Sequence, residues 1–149
     1  MKSLITCVTV FAATLGLTVT IYSQIGPDKV VTNLYKAAKT KRPANMSKTE
    51  LRRFFDRELS DLIWNAAHDE SGLDFDILYN AQDTQIRNFR ITKAQPQTAA
   101  VSFWNVSFTN FGRKESITFE LANPNNKGWR VTEVTYQDGS ELSKILAPN

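Results

Sequence analysis

Residues 115–121 are Glu-Ser-Ile-Thr-Phe-Glu-Leu, in which polar and apolar side chains alternate from Ser116 onward. Successive side chains of a β-strand point to opposite faces, so this pattern predicts a strand that buries Ile117, Phe119 and Leu121. Turn-forming residues bound the segment on both sides, at 110–112 and 124–128. It is therefore predicted to be one strand of a sheet with a single buried face.

Three more strands are predicted around this one, over residues 86–93, 98–108 and 129–136. The apolar positions change phase in two of them, between Phe103 and Trp104 and between Val131 and Val134. Such a slip indicates either a β-bulge, which bends a sheet, or a strand that is buried on both faces. With bulges, the sheet would curve around a long helix and enclose an apolar throat.

Helices are predicted before the sheet. Apolar residues recur at spacings of three and four from Val30 to Ala38, directly after Pro27, which suits the first turn of a helix. Residues 47–50 are Ser-Lys-Thr-Glu, the S-x-x-E pattern of a capping box, and predict the start of a second helix. Its apolar stripe continues from residue 51 to residue 67.

The rest of the chain completes an α+β fold class. Residues 73–83 have no sustained period and predict a turn, and Ser140 is predicted to cap a short last helix. The expected architecture is N-terminal helices packed on a curved antiparallel β-sheet, followed by a short C-terminal helix.

The first 23 residues are predicted to be a secretory signal peptide, and residues 24–149 a single domain. Lys2 precedes an uncharged, mostly apolar run, and Ser23 is a small residue before the expected cut. Removing this leader removes Cys7, the single cysteine, so disulfides and cysteine chemistry are excluded from the mature domain. The expected location is the periplasm, with no membrane span after cleavage; an uncleaved anchor in the inner membrane is the alternative.

The charge pattern argues against a nucleic-acid partner. The chain has 18 basic and 15 acidic residues, a net charge of +3, which is small for a nucleic-acid-binding domain. Basic residues crowd the stretch 36–53 and acidic residues the stretch 69–83. These stretches are either two solvated surfaces or a docking face with complementary charges.

Three motifs carry a resemblance to a known family: residues 30–35 (Val-Val-Thr-Asn-Leu-Tyr), residues 73–78 followed by Gln82-Asp83, and Gly-Trp-Arg-Val at 128–131 with an apolar tail. The chain resembles the cystatin-like, or nuclear-transport-factor-like, cone-shaped domains. More narrowly, it is similar to the exported bacterial domain-of-unknown-function family 3828. The resemblance implies bacterial export and a cone-shaped fold, but no reaction.

The polar group of greatest interest is formed by Asp74, Asp76 and Asp83 with Gln82. At the mouth of an apolar cone these carboxylates would serve as a general base or bind a cation. Desolvation there raises the pKa of a carboxyl group, which suits it to proton transfer. Alternatively, they accept backbone N–H groups and tie the helix to the sheet. The spacing matches no calcium loop and the one histidine, His68, has no partner for a metal pair, so neither a metal nor a cofactor is expected.

Aromatic residues are the second set of candidates. In strands they are either core or the lining of a ligand pocket, and Trp64 lies off the apolar stripe of its helix, where it would suit a protein-binding hot spot. The predicted ligand- or partner-binding residues are Trp64, Phe75, Tyr79, Gln82, Phe103, Trp104 and Trp129.

These observations favour a non-enzymatic exported protein that binds an envelope protein or a small apolar ligand, in an immunity, inhibitor or accessory role. The alternative is a small cone-fold isomerase, dehydratase or hydrolase with an aspartate as general base. The enzyme hypothesis requires a carboxylate inside a pocket and shielded from water. The binding hypothesis requires an exposed aromatic or charged patch.

Overall fold

The computed structural model of the chain describes residues 25–70 and 72–148. The predicted signal peptide lies outside these residues. The α+β class is confirmed. The elements are the helices α1 (Pro27–Ala38), α2 (Lys48–Leu51) and α3 (Arg57–His68), the strands β1 (Ile86–Gln97), β2 (Val101–Asn110), β3 (Arg113–Ala122) and β4 (Arg130–Tyr136), and the helix α4 (Leu142–Ile145).

The four strands form one antiparallel sheet in the order β1-β2-β3-β4. The prediction for β3 is confirmed, since Ile117, Phe119 and Leu121 are almost fully buried. Helix α1 contributes Val31 and Leu34 to the same core, both without exposed surface. One face of the sheet therefore packs on the helices, as the alternation in β3 predicts.

The predicted bulge in the last strand is confirmed. Leu121 pairs with Val131 and Glu120 with Glu133, so Thr132 is an extra residue in β4. For the phase change in the second strand, the bulge is the wrong one of the two interpretations. Strand β2 pairs with β3 without a slip, and the irregularities lie in β1, where the register against β2 shifts after Arg87 and after Ala94.

Strand β2 instead agrees with the alternative interpretation, because apolar side chains on both of its faces are at least partly buried. Val106 and Phe108 lie in the core, whereas Val101 and Phe103 on the other face are half-buried. A strand with apolar residues on both faces mimics a change of phase, which is why the sequence pattern suggested a bulge there.

The prediction of a single long second helix is also wrong. The capping box forms as predicted: the Ser47 hydroxyl accepts from the Glu50 N–H at 3.2 Å, and the Glu50 carboxylate accepts from the Ser47 N–H at 2.7 Å. However, α2 ends at Leu51, and α3 begins only after a new N-cap, Asp56, whose carboxylate accepts from the Leu59 N–H at 2.8 Å.

The interruption between α2 and α3 covers the free edge of β4. Phe55 forms a parallel bridge with Val131, in which the Asp56 N–H donates to the Val131 carbonyl at 2.9 Å and the Val131 N–H to the Phe54 carbonyl at 2.8 Å. These hydrogen bonds satisfy β4 backbone groups that a continuous helix would leave unpaired. The long-range bridge thus overrides a local helical pattern.

The C-terminal segment covers the same edge. The predicted cap Ser140 is wrong, because α4 begins after Glu141 and the Ser140 hydroxyl donates to Asp138 at 2.6 Å. Thr135 and Glu141 form an antiparallel bridge. Within residues 25–70 and 72–148, no helix combines the length and the apolarity needed to cross a bilayer.

Candidate functional site

Asp76 is a structural residue in a turn. Its side chain is almost fully buried, one carboxylate oxygen accepts from the Leu78 N–H at 2.9 Å, and the other lies 3.6 Å from Nε of Arg42. The Asp76 N–H closes the turn by donating to the Ala81 carbonyl at 2.8 Å. Burial raises the pKa of Asp76, while the hydrogen bond from Leu78 and the charge of Arg42 act in the opposite direction.

Two tyrosines hold the same turn against the helix and the sheet. The Tyr35 hydroxyl, on α1, donates to the Leu78 carbonyl at 2.8 Å, and the Tyr136 hydroxyl, on β4, donates to the Ile77 carbonyl at 3.0 Å. Burial raises the pKa of both phenols. We call this arrangement the tyrosine clasp (Tyr35, Tyr136 and the turn 76–81). It corresponds to the structural interpretation of the aspartate motif, in which the turn ties helix to sheet.

Asp74 and Gln82 line the same small cavity as Asp76, whereas Asp83 does not. Asp74 and Asp83 are exposed, and the backbone carbonyl of Asp83 accepts from the Asn110 side chain at 3.3 Å. The cavity has a volume of about 160 Å³, Arg42 also lines it, and Gln82 is exposed. That volume is below the roughly 300 Å³ at which ligand pockets usually begin. The three carboxylates therefore do not form the shielded site that the enzyme hypothesis requires.

The predicted aromatic residues are dispersed. Trp64 is half-buried and stacks on His68 at a centroid distance of 3.7 Å. Tyr79 lies edge-on to Tyr35 at 5.6 Å and belongs with the tyrosine clasp. The Trp104 indole donates to the Ser102 hydroxyl at 2.9 Å.

Phe103 lies apart from these residues, paired with Ala94 on one side and with Glu120 on the other. The aromatic residues predicted from the sequence therefore do not line one common pocket.

Two of the predicted aromatics line open cavities. Phe75 faces a groove of about 720 Å³ between α3 and the C-terminal residues, as well as the small cavity at Gln82. Trp129 lines a separate groove of about 500 Å³, which we call the Trp129 groove. Its apolar residues are Ile25, Val30, Phe54 and Trp129, and its basic residues are Arg53, Lys127 and Arg130.

Arg130 is the best-positioned charge in the Trp129 groove. Its Nε donates to the Arg52 carbonyl at 2.9 Å and its Nη1 to the Trp129 carbonyl at 2.7 Å. Among the described residues, Nη2 has no hydrogen-bond partner. Arg130 also lines two adjoining cavities of about 280 Å³ each, both shared with Arg57. Two backbone carbonyls therefore fix the guanidinium and leave one nitrogen for a ligand.

Gly128 lies directly against the guanidinium of Arg130. Its φ of +106° is a conformation that residues with a Cβ rarely adopt, and a Cβ there would lie 3.3 Å from Nη1 of Arg130. Its N–H donates to the Asn123 side chain at 2.8 Å, which fixes the loop before β4. The motif Gly-Trp-Arg-Val thus positions Arg130 at the start of β4.

The surroundings of Arg130 are short of negative charge. Within residues 25–70 and 72–148, the side chains of Arg53, Arg57 and Lys127 make neither a hydrogen bond nor an ion pair. Asp56 lines a cavity together with Arg130, and its carboxylate caps α3. Burial raises the pKa of Asp56, with Glu58 and Glu133 adding to the rise and the hydrogen bond from Leu59 opposing it. Among the described residues, no carboxylate lines the Trp129 groove itself, so its lining carries positive charge only.

Trp129 is among the residues predicted from the sequence, whereas Arg130, Phe54 and Ile25, which line the groove with it, are not. The signal for Arg130 was present in the Gly-Trp-Arg-Val motif. The signal for Arg53 was present in the basic stretch 36–53, whose other members are largely neutralised by the domain's own carboxylates. Lys41 pairs with Glu50, Arg42 with Asp76, and both Lys48 and Arg52 with Asp61.

Comparison with known proteins adds little to this geometry. No family model and no curated protein matches the chain. Among solved structures, the chain is similar to a phospholipid-binding protein from Ralstonia solanacearum in complex with a phospholipid. The two are 16% identical, with a TM-score of 0.37 over 81% of this chain and 72% of that chain. Neither the family resemblance nor the cystatin-like fold is confirmed by these comparisons.

Proposed function

We propose that the chain is an exported, non-enzymatic binding domain whose Trp129 groove holds an anionic amphiphile, a small molecule with an apolar body and one carboxylate or phosphate. The observation that carries the proposal is Arg130, which two backbone carbonyls hold in place beside an open apolar groove with Nη2 unused. The proposal includes a cone-shaped, cystatin-like architecture, for which the bulges in β1 and β4 supply the required curvature.

The basic residues account for the anionic end of the ligand. Arg53, Lys127 and Arg130 line one groove and find no carboxylate among the described residues. Charge-assisted hydrogen bonds to a fixed guanidinium are among the stronger interactions in proteins, worth about 1.5–3 kcal/mol. Because Arg130 is already ordered, binding does not have to immobilise its long side chain.

The apolar residues account for the body of the ligand. Val30 is buried at the base of α1, Phe54 and Trp129 are half-buried, and Ile25 has 60% of its surface exposed. A ligand that covers these side chains removes apolar surface from water, which contributes about 25 cal/mol per Å². A groove of about 500 Å³ lies within the usual size range of small-molecule sites.

The alternative, a small cone-fold enzyme with an aspartate base, finds less support. Asp76 is buried but already accepts a backbone N–H and lies beside Arg42, while Asp74 and Asp83 are exposed. A general base needs hydrogen-bond reach to a substrate proton. None of the three carboxylates lines the Trp129 groove.

The proposal is tested with matched probes: dodecyl phosphate, dodecanoate, dodecyltrimethylammonium and inorganic phosphate, each below its aggregation concentration, by titration calorimetry. The two anionic amphiphiles are expected to bind, with the cationic one and inorganic phosphate weaker by at least about tenfold. Arg130→Gln is expected to weaken dodecyl phosphate binding about ten- to hundredfold. Arg90→Gln, an exposed arginine on β1, serves as the control and leaves binding unchanged.

Two outcomes would refute the proposed ligand class: equal binding of the anionic and cationic amphiphiles, or unchanged affinity in Arg130→Gln. Thermal unfolding of each variant is measured alongside, so that a loss of binding is assigned to the groove only when the variant is folded.

The exported, periplasmic location is a second part of the proposal and has its own test. Leader cleavage after Ser23 predicts a mature N-terminus near Gln24 in protein recovered from the cell envelope. Mass spectrometry of the intact protein distinguishes this product from an uncleaved chain. An N-terminus at Met1 or Lys2 would instead establish retention of the leader as an inner-membrane anchor.

A further inference from the structure

The hairpin between β2 and β3 carries an unusual residue at its tip. Asn110 pairs with Arg113, which leaves Phe111 and Gly112 as a two-residue turn. Phe111 has φ +46° and Gly112 φ +83°, so both central residues are in the left-handed region, as a type I′ turn requires. Asn or Gly is favoured at the first of these positions, because a bulky side chain is strained there.

The fold covers less than half of Phe111. Its side chain is 58% exposed, one of four large hydrophobic residues exposed among those described. A strained and solvated phenylalanine stabilises neither the turn nor the core. The strain and the exposure together make Phe111 a candidate for a contact outside the chain.

The charges around Phe111 specify what it contacts. Arg87 is paired with Thr109 one step from Asn110, and Lys114 follows Arg113; all three cations are exposed. Arg113 lies 3.5 Å from Glu115, whereas Arg87 and Lys114 make no ion pair with any described residue. The tip is thus a convex aromatic point flanked by positive charge, which fits an apolar hollow with negative charge at its border.

This chain itself contains such a hollow. The groove of about 720 Å³ between α3 and the C-terminal residues is lined by Leu62, Leu73, Phe75 and Ile145, together with the carboxylates Asp69 and Asp74. Ile145 is 44% exposed, and both carboxylates are exposed and without an ion pair among the described residues. The acidic stretch 69–83 therefore supplies the border charge that the tip requires.

We propose that two copies of the chain associate head to tail, with the Phe111 tip of one copy inserted into the α3 groove of the next. The contact is heterologous, so each bound pair still presents one free tip and one free groove. A hairpin tip covers less than a standard interface, and the association is accordingly weak, with a dissociation constant on the order of 100 μM. The Trp129 groove takes no part in it.

The test is sedimentation velocity of the purified chain from about 10 μM to about 1 mM, a range that brackets the expected dissociation constant. The wild-type chain is expected to associate reversibly as its concentration rises. Phe111→Asn is expected to abolish association while unfolding at the same or a higher temperature, because Asn suits a type I′ turn. A wild-type chain that stays monomeric throughout, or a Phe111→Asn variant that associates like the wild type, would overturn the proposal.

A charge swap tests the partner surface. Lys114→Glu and Asp74→Lys are each expected to weaken association about fivefold or more, and the chain that carries both substitutions is expected to recover most of the loss. A double variant weaker than both single variants would refute the α3 groove as the site. Dodecyl phosphate binding is expected to persist in every one of these variants, so failure here is distinguishable from failure of the proposed ligand site.

Discussion

The segments Phe75-Asp76 and Trp129-Arg130 each place an aromatic residue beside a charged one, and they use the charge in opposite ways. The Asp76 carboxylate points inward, where it accepts the Leu78 N–H and lies beside Arg42. The Arg130 guanidinium is also held, by two backbone carbonyls, but it lies at an open groove with one nitrogen unused.

The difference shows how a charged residue next to an aromatic one is assigned to structure or to binding. A buried polar group whose hydrogen bonds are satisfied stabilises one conformation, because breaking any partner leaves an unpaired group in the interior. A fixed charged group without a counter-charge destabilises the empty protein. Its free donor can form a hydrogen bond with an oppositely charged ligand, which stabilises the complex. On this criterion Asp76 belongs to the fold, and Arg130 to the proposed site.

The tyrosine clasp gives the largest expected effect on stability. Replacing Tyr35 and Tyr136 together with phenylalanine leaves the carbonyls of Leu78 and Ile77 without their donors. Each unsatisfied buried carbonyl costs about 1–3 kcal/mol, so we expect a loss of about 2–6 kcal/mol in urea unfolding, with unchanged dodecyl phosphate affinity. A loss below about 1 kcal/mol would show that the turn is held by packing rather than by the clasp.

Gly128→Ala tests the other segment and is expected to affect both stability and binding. The φ of +106° strains any residue with a Cβ, at a cost of about 1–2 kcal/mol. The new Cβ would lie 3.3 Å from Nη1 of Arg130, so the guanidinium has to shift by a few tenths of an ångström and dodecyl phosphate affinity should fall. Gly139→Ala, at φ +85° with no heavy atom near the Cβ position, is the matched control: it carries the strain without the effect on binding.

Asp76→Asn sharpens the comparison through pH. Burial raises the pKa of Asp76 above its ordinary value of 3.8 in the folded state. The folded protein therefore binds more protons than the unfolded chain between these two values, and its stability falls as the pH rises through the folded pKa. Relative to the wild type, Asp76→Asn should thus gain stability from about pH 3 to about pH 7 in urea titrations. The opposite trend would show that Arg42 outweighs burial.

Glu50→Gln gives the smallest effect and the reverse sign. The hydrogen bond from Lys41, followed by those from Ser47, lowers the pKa of Glu50 from 4.5 to about 2. A lowered pKa contributes stability that is present above the unfolded value and is lost as the pH falls toward the folded one. The wild type should therefore be slightly more stable than Glu50→Gln at neutral pH, and the difference should vanish near pH 2. A difference that does not change with pH would place the effect outside the capping box.

Local features of this protein were determined by the sequence alone. The alternation over 115–121, the capping box at 47–50 and the slip in the last strand all involve residues within a few positions of each other. Side-chain period and end-capping chemistry depend on that short range, and the structure confirms all three. The α+β class follows from the same local patterns.

Features that depend on contacts distant in the chain were decided only by the tertiary structure. The helical stripe from residue 51 to residue 67 is broken because Phe55 pairs with Val131, an interaction that no local pattern contains. Likewise, the Trp129 groove brings together Ile25, Phe54 and Arg130, which are separated by up to about a hundred positions. Hydrogen bonding and the burial of apolar surface act between whatever groups the fold brings together, so the partners of Trp129 emerged only when the sheet edge and the helices were in place.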